Sequence, residues 1–166
     1  SYIGKDTFQK AVREYLKSKA YGNATSADFV AAVSAATGKD LGPAFSSFLD
    51  QPGEPEITMT VDCKGGPKVQ LAQQRFVAPG SPKPPEGKPW IVPVCVAYDK
   101  AGKRAQACTL LEGQIGTLAL PGTSCPRWVM PNVDARGYYV AKLTPAQVTA
   151  LRDEAWGQLS WTERML

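Results

Sequence analysis

A chain of 166 residues is long enough for one domain, or for one domain with pieces of its neighbours, and can bury a real core. With 19 Lys+Arg against 15 Asp+Glu the net charge is +4, too small an excess to argue for a nucleic-acid partner. The sequence holds no His, which excludes Ser-His and Cys-His nucleophile pairs, a His-ligated zinc and an HExxH helix, and leaves carboxylates, Lys or Tyr for any chemistry.

The start, SYIGKDTF, lacks the charged end and apolar middle of a signal peptide, and no apolar run approaches the roughly 20 residues that span a bilayer. A soluble piece without a membrane span is expected. The first residues run into a helical pattern without an initiating Met, as in an excised segment whose natural beginning lies upstream. Asp6 is placed to cap a helix from about Thr7 to Lys19, in which Phe8, Val12, Tyr15, Leu16 and Lys19 recur at three- and four-residue spacing. Thr25 or Ser26 can cap a second helix to Thr37 with a stripe of Phe29, Val30 and Val33, stopped by Gly38. Asp40 is expected to cap a short third helix through Phe45, Phe48 and Leu49, with Pro43 near its start, where a missing amide costs little.

Gln51-Pro52-Gly53-Glu54-Pro55 breaks the helical period, and strict alternation takes over beyond it. Glu56 to Val61 and Lys68 to Leu71, leading on to Phe76, read as half-buried strands around the turn Lys64-Gly65-Gly66-Pro67. Residues 77 to 89 hold five prolines and two glycines and read as a loop. Trp90 to Tyr98 and Arg104 to Leu111 form the best hairpin, and shorter strands are expected at Gln114 to Leu120, Arg127 to Met130 and Gly137 to Leu143. Thr144-Pro145 opens a helix carrying Val148, Leu151 and Trp156, and Ser160 caps another. Basic residues share the first helix (Lys10, Arg13, Lys17, Lys19) or fall in loops (Lys83, Lys88, Lys100, Lys103, Arg104), so both sets read as solvated faces. The expected fold is therefore mainly β, an antiparallel sandwich of about seven strands flanked by helical segments at both ends.

The four cysteines have no close pair and no His beside them, so no metal site is expected. A two- or four-residue loop centred on Ala101-Gly102 sets Cys95 opposite Cys108, within bridging range. A three-residue loop beginning at Asp99 shifts the register and turns the two thiols to opposite faces. If the first register holds, Cys63 and Cys125 remain as the second pair and the compartment is oxidising, periplasmic or secreted; four reduced thiols would suit the cytoplasm. The carboxylates Asp50, Glu54, Glu56, Asp153 and Glu154 show no convergence, so no catalytic residue is expected in this chain. Trp90, Trp128, Tyr138 and Tyr139 would serve a sugar-stacking platform in a free-standing carbohydrate-binding or adhesion module. Alternation sets Tyr138 and Tyr139 on opposite faces, however, and so favours core and interdomain packing.

The order of parts resembles the C-terminal portion of the aminopeptidase N family of zinc aminopeptidases. YGNATSADFVAAVSAATGKDL and FSSFLDQPGEPEITM are similar to the end of the family's catalytic domain and the step into its β domain. VQLAQQRF, WIVPVCVAYD and PNVDARGYYVAKL resemble three successive strands of that domain, and LSWTERM the entry to the helical C-terminal domain. The resemblance implies three parts: residues 1–53 as a helical tail of the catalytic domain, 54–143 as a β-sandwich, and 144–166 as the start of the helical domain. It further implies a spacer whose partners are the remaining domains of a peptidase that removes N-terminal residues. The family's zinc helix, GxMEN strand and catalytic Tyr lie upstream of the matched portion, so zinc is implied for the parent and no cofactor for this chain. Val140 stands where the family usually has Arg after GYY. Phe8, Val12 and Leu16 would pack on the catalytic body or, in its absence, support self-association through an exposed helical face, while Trp128, Tyr138 and Tyr139 would fill the sandwich and bear on its neighbours.

Overall fold

The computed structural model describes residues 3–82 and 87–166. The centre of the proline-rich loop, 83–86, lies outside the described residues, as do Ser1 and Tyr2. Three helices come first: α1 (Lys5–Ser18), α2 (Ser26–Thr37) and α3 (Gly42–Leu49). Thr25 caps α2 reciprocally: its hydroxyl accepts from the Asp28 amide, while the Asp28 carboxylate accepts from the Thr25 amide. The Lys19 ammonium, 2.7 Å away, with the Thr25 amide and the Thr25 hydroxyl, which also donates to the carboxylate, holds the Asp28 carboxyl down at about 2. Two expected caps are corrected. Gly4 precedes α1 and Asp6 lies inside its first turn, where a carboxylate still suits the helix dipole. Leu41 precedes α3, and Asp40 instead accepts from the Gly42 amide at 2.9 Å.

Among the described residues the strands form two sheets, ordered β5-β2-β1-β7 and β4-β3-β6. These are β1 (Pro55–Asp62), β2 (Lys68–Arg75), β3 (Val92–Lys100), β4 (Lys103–Leu111), β5 (Ile115–Ala119), β6 (Val129–Met130) and β7 (Val140–Lys142). The expected fold class is corrected in two respects. Helical segments hold at least as many residues as the strands, so the chain is mixed α/β. Nor is the pairing wholly antiparallel, because β7 runs parallel to β1, Glu56 opposite Val140 and Thr58 opposite Lys142. The last two strands are also shorter than alternation suggested, since Pro131 and the turn after it stop β6, and Tyr138 and Tyr139 precede β7.

Alternation puts Ile57, Val69, Leu71 and Leu118 from the first sheet and Val92, Val94, Val96 and Leu111 from the second into one buried cluster. Each such side chain contributes about 1.5–3 kcal/mol when withdrawn from water. A second cluster joins Ala97, Trp128 and Met130 to the C-terminal segment through Leu151, Ala155 and Leu159. That segment runs as α4 (Pro145–Ala150), capped by Thr144, then a π turn (Leu151–Ala155), a 3-10 turn (Trp156–Gln158) and α5 (Trp161–Arg164), capped by Ser160. A third cluster, Ala11 with Val33 and Leu41, holds the N-terminal helices together.

Gln73 occupies an inward position of β2, where Val69 and Leu71 suggest a hydrophobe. Its side-chain amide donates 2.8 Å bonds to the carbonyls of Trp90 and Gly113, and its oxygen accepts from the Trp90 amide at 3.0 Å. One buried side chain thus ties β2 to the approach to β3 and to the turn between β4 and β5. Gln73→Leu keeps the volume but leaves three backbone groups unpaired, so it should cost about 3 kcal/mol. A lowered urea midpoint at unchanged slope would register that loss.

Candidate functional site

A groove of about 980 Å³ lies between the N-terminal helices, the outer face of β3 and β4, and the turn from Asn132 to Tyr138. Its apolar wall is built from Phe8, Phe45, Phe48, Ile91 and Leu110. Phe29 anchors the helical side, meeting Phe8, Tyr15 and Phe45 edge to face at 6.5, 5.3 and 5.9 Å. Ser47 fastens the helices to the sheets, its hydroxyl accepting from the Ile91 amide at 3.0 Å. Nearby, the Arg75 guanidinium lies over the Trp90 ring and donates to the Pro52 carbonyl.

The turn at the far wall is rigidly built. Buried Asn132 accepts from the Gly137 amide at 2.7 Å and donates to the Gly137 carbonyl at 3.0 Å. Asp134 and Ala135 both take left-handed φ, 54° and 56°, a conformation non-glycine residues adopt only when their surroundings enforce it. Gly137 is required, because a β-carbon there would collide with the Tyr139 ring. Tyr139 is buried, which pushes its phenol far above the ordinary value, and its hydroxyl donates to the Pro131 carbonyl at 3.3 Å. Tyr138 is 70% exposed and meets Phe48 edge to face at 5.9 Å.

Glu163 anchors the same turn. Its side chain is fully buried and takes four hydrogen bonds: two from Arg104 at 2.7 and 3.0 Å, one from the Asp134 amide at 3.0 Å and one from the Ser160 amide at 2.8 Å. Asp99 plays a parallel part on the opposite strand of the hairpin, where it faces Arg104 in the ladder. It accepts from the Gly102 amide and from Arg127, whose guanidinium also reaches Glu154 at 2.6 Å. The sequence patterns did not single out Gln73, Asn132 or Glu163, and Asp99 read there only as the start of one alternative turn. The available signals were weak: Gln73 at an inward strand register, and Glu163 three residues after Ser160 as a capping box.

The aromatic quartet does not form a platform, because Trp90, Trp128 and Tyr139 are buried and only Tyr138 faces out. On α1 the buried residue is Ala11, with Val12 half-buried, Phe8 edging the groove and Leu16 60% exposed. The cysteines pair as Cys95–Cys108 and Cys63–Cys125. Cys95 and Cys108 face each other directly across a two-residue loop, Ala101 and Gly102, both with positive φ. Among the described residues no three His, Cys, Asp or Glu side chains converge to hold a metal ion. With every cysteine in a disulfide and no His in the chain, these residues do not fit zinc. No helix of the described residues is long and apolar enough to cross a membrane.

No family model matches the chain. Aminopeptidase M1 of Arabidopsis thaliana is 33% identical over 174 aligned positions, which take in 95% of this chain and 18% of that protein. The puromycin-sensitive aminopeptidase of Caenorhabditis elegans is 28% identical across 90% of this chain and 16% of its own length. The chain is a homologue of part of the M1 aminopeptidases. It spans about 15–18% of the length of the curated aminopeptidases it matches. A crystal structure of Legionella pneumophila aminopeptidase A in complex with aspartic acid superposes on 93% of this chain and 18% of its own with a TM-score of 0.67. At 19% identity that likeness speaks for a shared fold.

Proposed function

We propose that this chain is a non-catalytic spacer of a zinc aminopeptidase, holding a catalytic body on one side and a helical domain on the other. In this reading residues 1–53 are the tail of the catalytic domain, 54–143 form a β-sandwich, and 144–166 begin the helical domain. The observation that carries it is the pairing of near-complete coverage of this chain with coverage of less than a fifth of each aminopeptidase relative. The anchoring supports it too: Ser47 and Arg75 bind the first part to the sheets, and Arg104 with Glu163 binds the last. The stripe of Phe8, Val12 and Leu16 then serves as the interdomain face toward the catalytic body. The two disulfides suit an extracytoplasmic setting. Incubated with aminoacyl chromogenic substrates, with and without added zinc, the chain is expected to release no chromophore. Zinc-dependent turnover from a clean preparation would overturn the spacer reading.

A further inference from the structure

The two disulfides sit in different mechanical settings. Cys95 is half-buried in the central strand of its sheet, and its exposed partner Cys108 lies opposite within a ladder that runs unbroken from Val92–Leu111 to Lys100–Lys103. Cys63 and Cys125 are both exposed, the first at the turn leaving β1 and the second in the loop between β5 and β6. The ends of that loop are held independently. Pro121 accepts from the Tyr98 hydroxyl at 2.9 Å, and Arg127 donates to Asp99 at 2.9 Å. We propose that Cys63–Cys125 is a thiol–disulfide exchange site, opened by a dithiol while Cys95–Cys108 stays closed and the fold persists.

A thiolate of the dithiol attacks one exposed sulfur, the protein S–S bond breaks, and the other cysteine leaves as thiolate and takes a proton. The second thiol of the reagent then attacks the mixed disulfide. Two electrons pass to the protein, giving two cysteine thiols and one oxidised reagent. Access does not by itself separate the two bonds, because Cys108 is exposed as Cys63 and Cys125 are. Equilibrium does separate them, because in the folded chain the tendency to re-close depends on how firmly the two thiols are held together. Opposed residues of a paired ladder stay together after reduction, whereas a turn and a loop drift apart. The number of residues enclosed by each bond does not enter, since that term belongs to the unfolded chain. Opening would loosen the loop leading into Arg127, and through Arg127 the contact with Glu154 of the C-terminal segment. The assignment is independent of the spacer reading.

The test equilibrates the intact chain with graded ratios of reduced to oxidised dithiothreitol, traps free thiols by alkylation, and reads each cysteine pair by peptide mass spectrometry. Far-UV circular dichroism and amide exchange are followed in parallel. Cys63 and Cys125 should reach half-opening at a ratio at least about tenfold lower than Cys95 and Cys108. The dichroism should hold, with faster exchange in residues 121–127. Earlier or simultaneous opening of Cys95–Cys108, or opening of Cys63–Cys125 only together with loss of the dichroism signal, would overturn the proposal.

Discussion

Glu163→Ala is expected to destabilise the chain by about 3–5 kcal/mol, the cost typical of removing one partner from a buried ion pair. The loss is large because one carboxylate serves three elements at once. Arg104 projects from β4, Asp134 belongs to the left-handed turn, and Ser160 begins α5. Without the carboxylate, Arg104 keeps the Gln158 carbonyl at 3.1 Å, and two backbone amides lose their acceptor. Glu163→Gln should cost less, because an amide oxygen still accepts from one side while its NH2 group confronts a donor on the other.

The pH dependence isolates the contribution of the charge. Burial alone would push the Glu163 carboxyl up, but Arg104 and the Ser160 and Asp134 amides more than offset this and hold it below its usual 4.5. A depressed folded value means the stabilisation is fully present above about pH 4.5 and is lost as pH falls through the folded value. Urea unfolding repeated from neutral pH downward should show the gap between wild type and E163Q narrowing in acid. A gap that is constant or widens would remove the assigned role.

The second large effect concerns the disulfides. Replacing Cys63 and Cys125 together with Ser should cost about 4 kcal/mol, against about 3 kcal/mol for the Cys95 and Cys108 pair, because loop-closure entropy grows with the enclosed length. The separations are 62 and 13 residues. Thermal melts of the two double variants under oxidising conditions give the comparison directly, and the Cys63/Cys125 variant should melt lower.

Much of the architecture was legible because period-2 alternation is a local signal. The register of β3 and β4 could be narrowed to two choices from the residues between them, and the pair Ala101-Gly102 with positive φ resolves it toward opposed cysteines. The Ser160 cap and the helix start at Thr144-Pro145 were visible because they too are local, and the α2 cap was narrowed to Thr25 or Ser26, of which Thr25 serves. The parallel seat of β7 beside β1 was not, since it joins residues more than eighty positions apart and leaves no local trace. Nor was the groove: Phe8, Phe48 and Tyr138 each obey their own element's pattern, and only the packing of three elements brings them together. Glu163 reads in sequence as a helix-capping residue, and its partner on β4 lies 59 residues away.

The side-by-side course of β1 and β7 has a mechanical corollary. Because the chain enters along β1 and departs along β7 in the same direction, tension applied between the helices before Pro55 and the helical segment after Lys142 slides the two strands lengthwise. Their hydrogen bonds then bear load in shear, several together, instead of parting one by one as in an unzipping hairpin. The Lys142 ammonium, 3.3 Å from the Glu56 carboxylate, adds a crosswise rivet to the same seam.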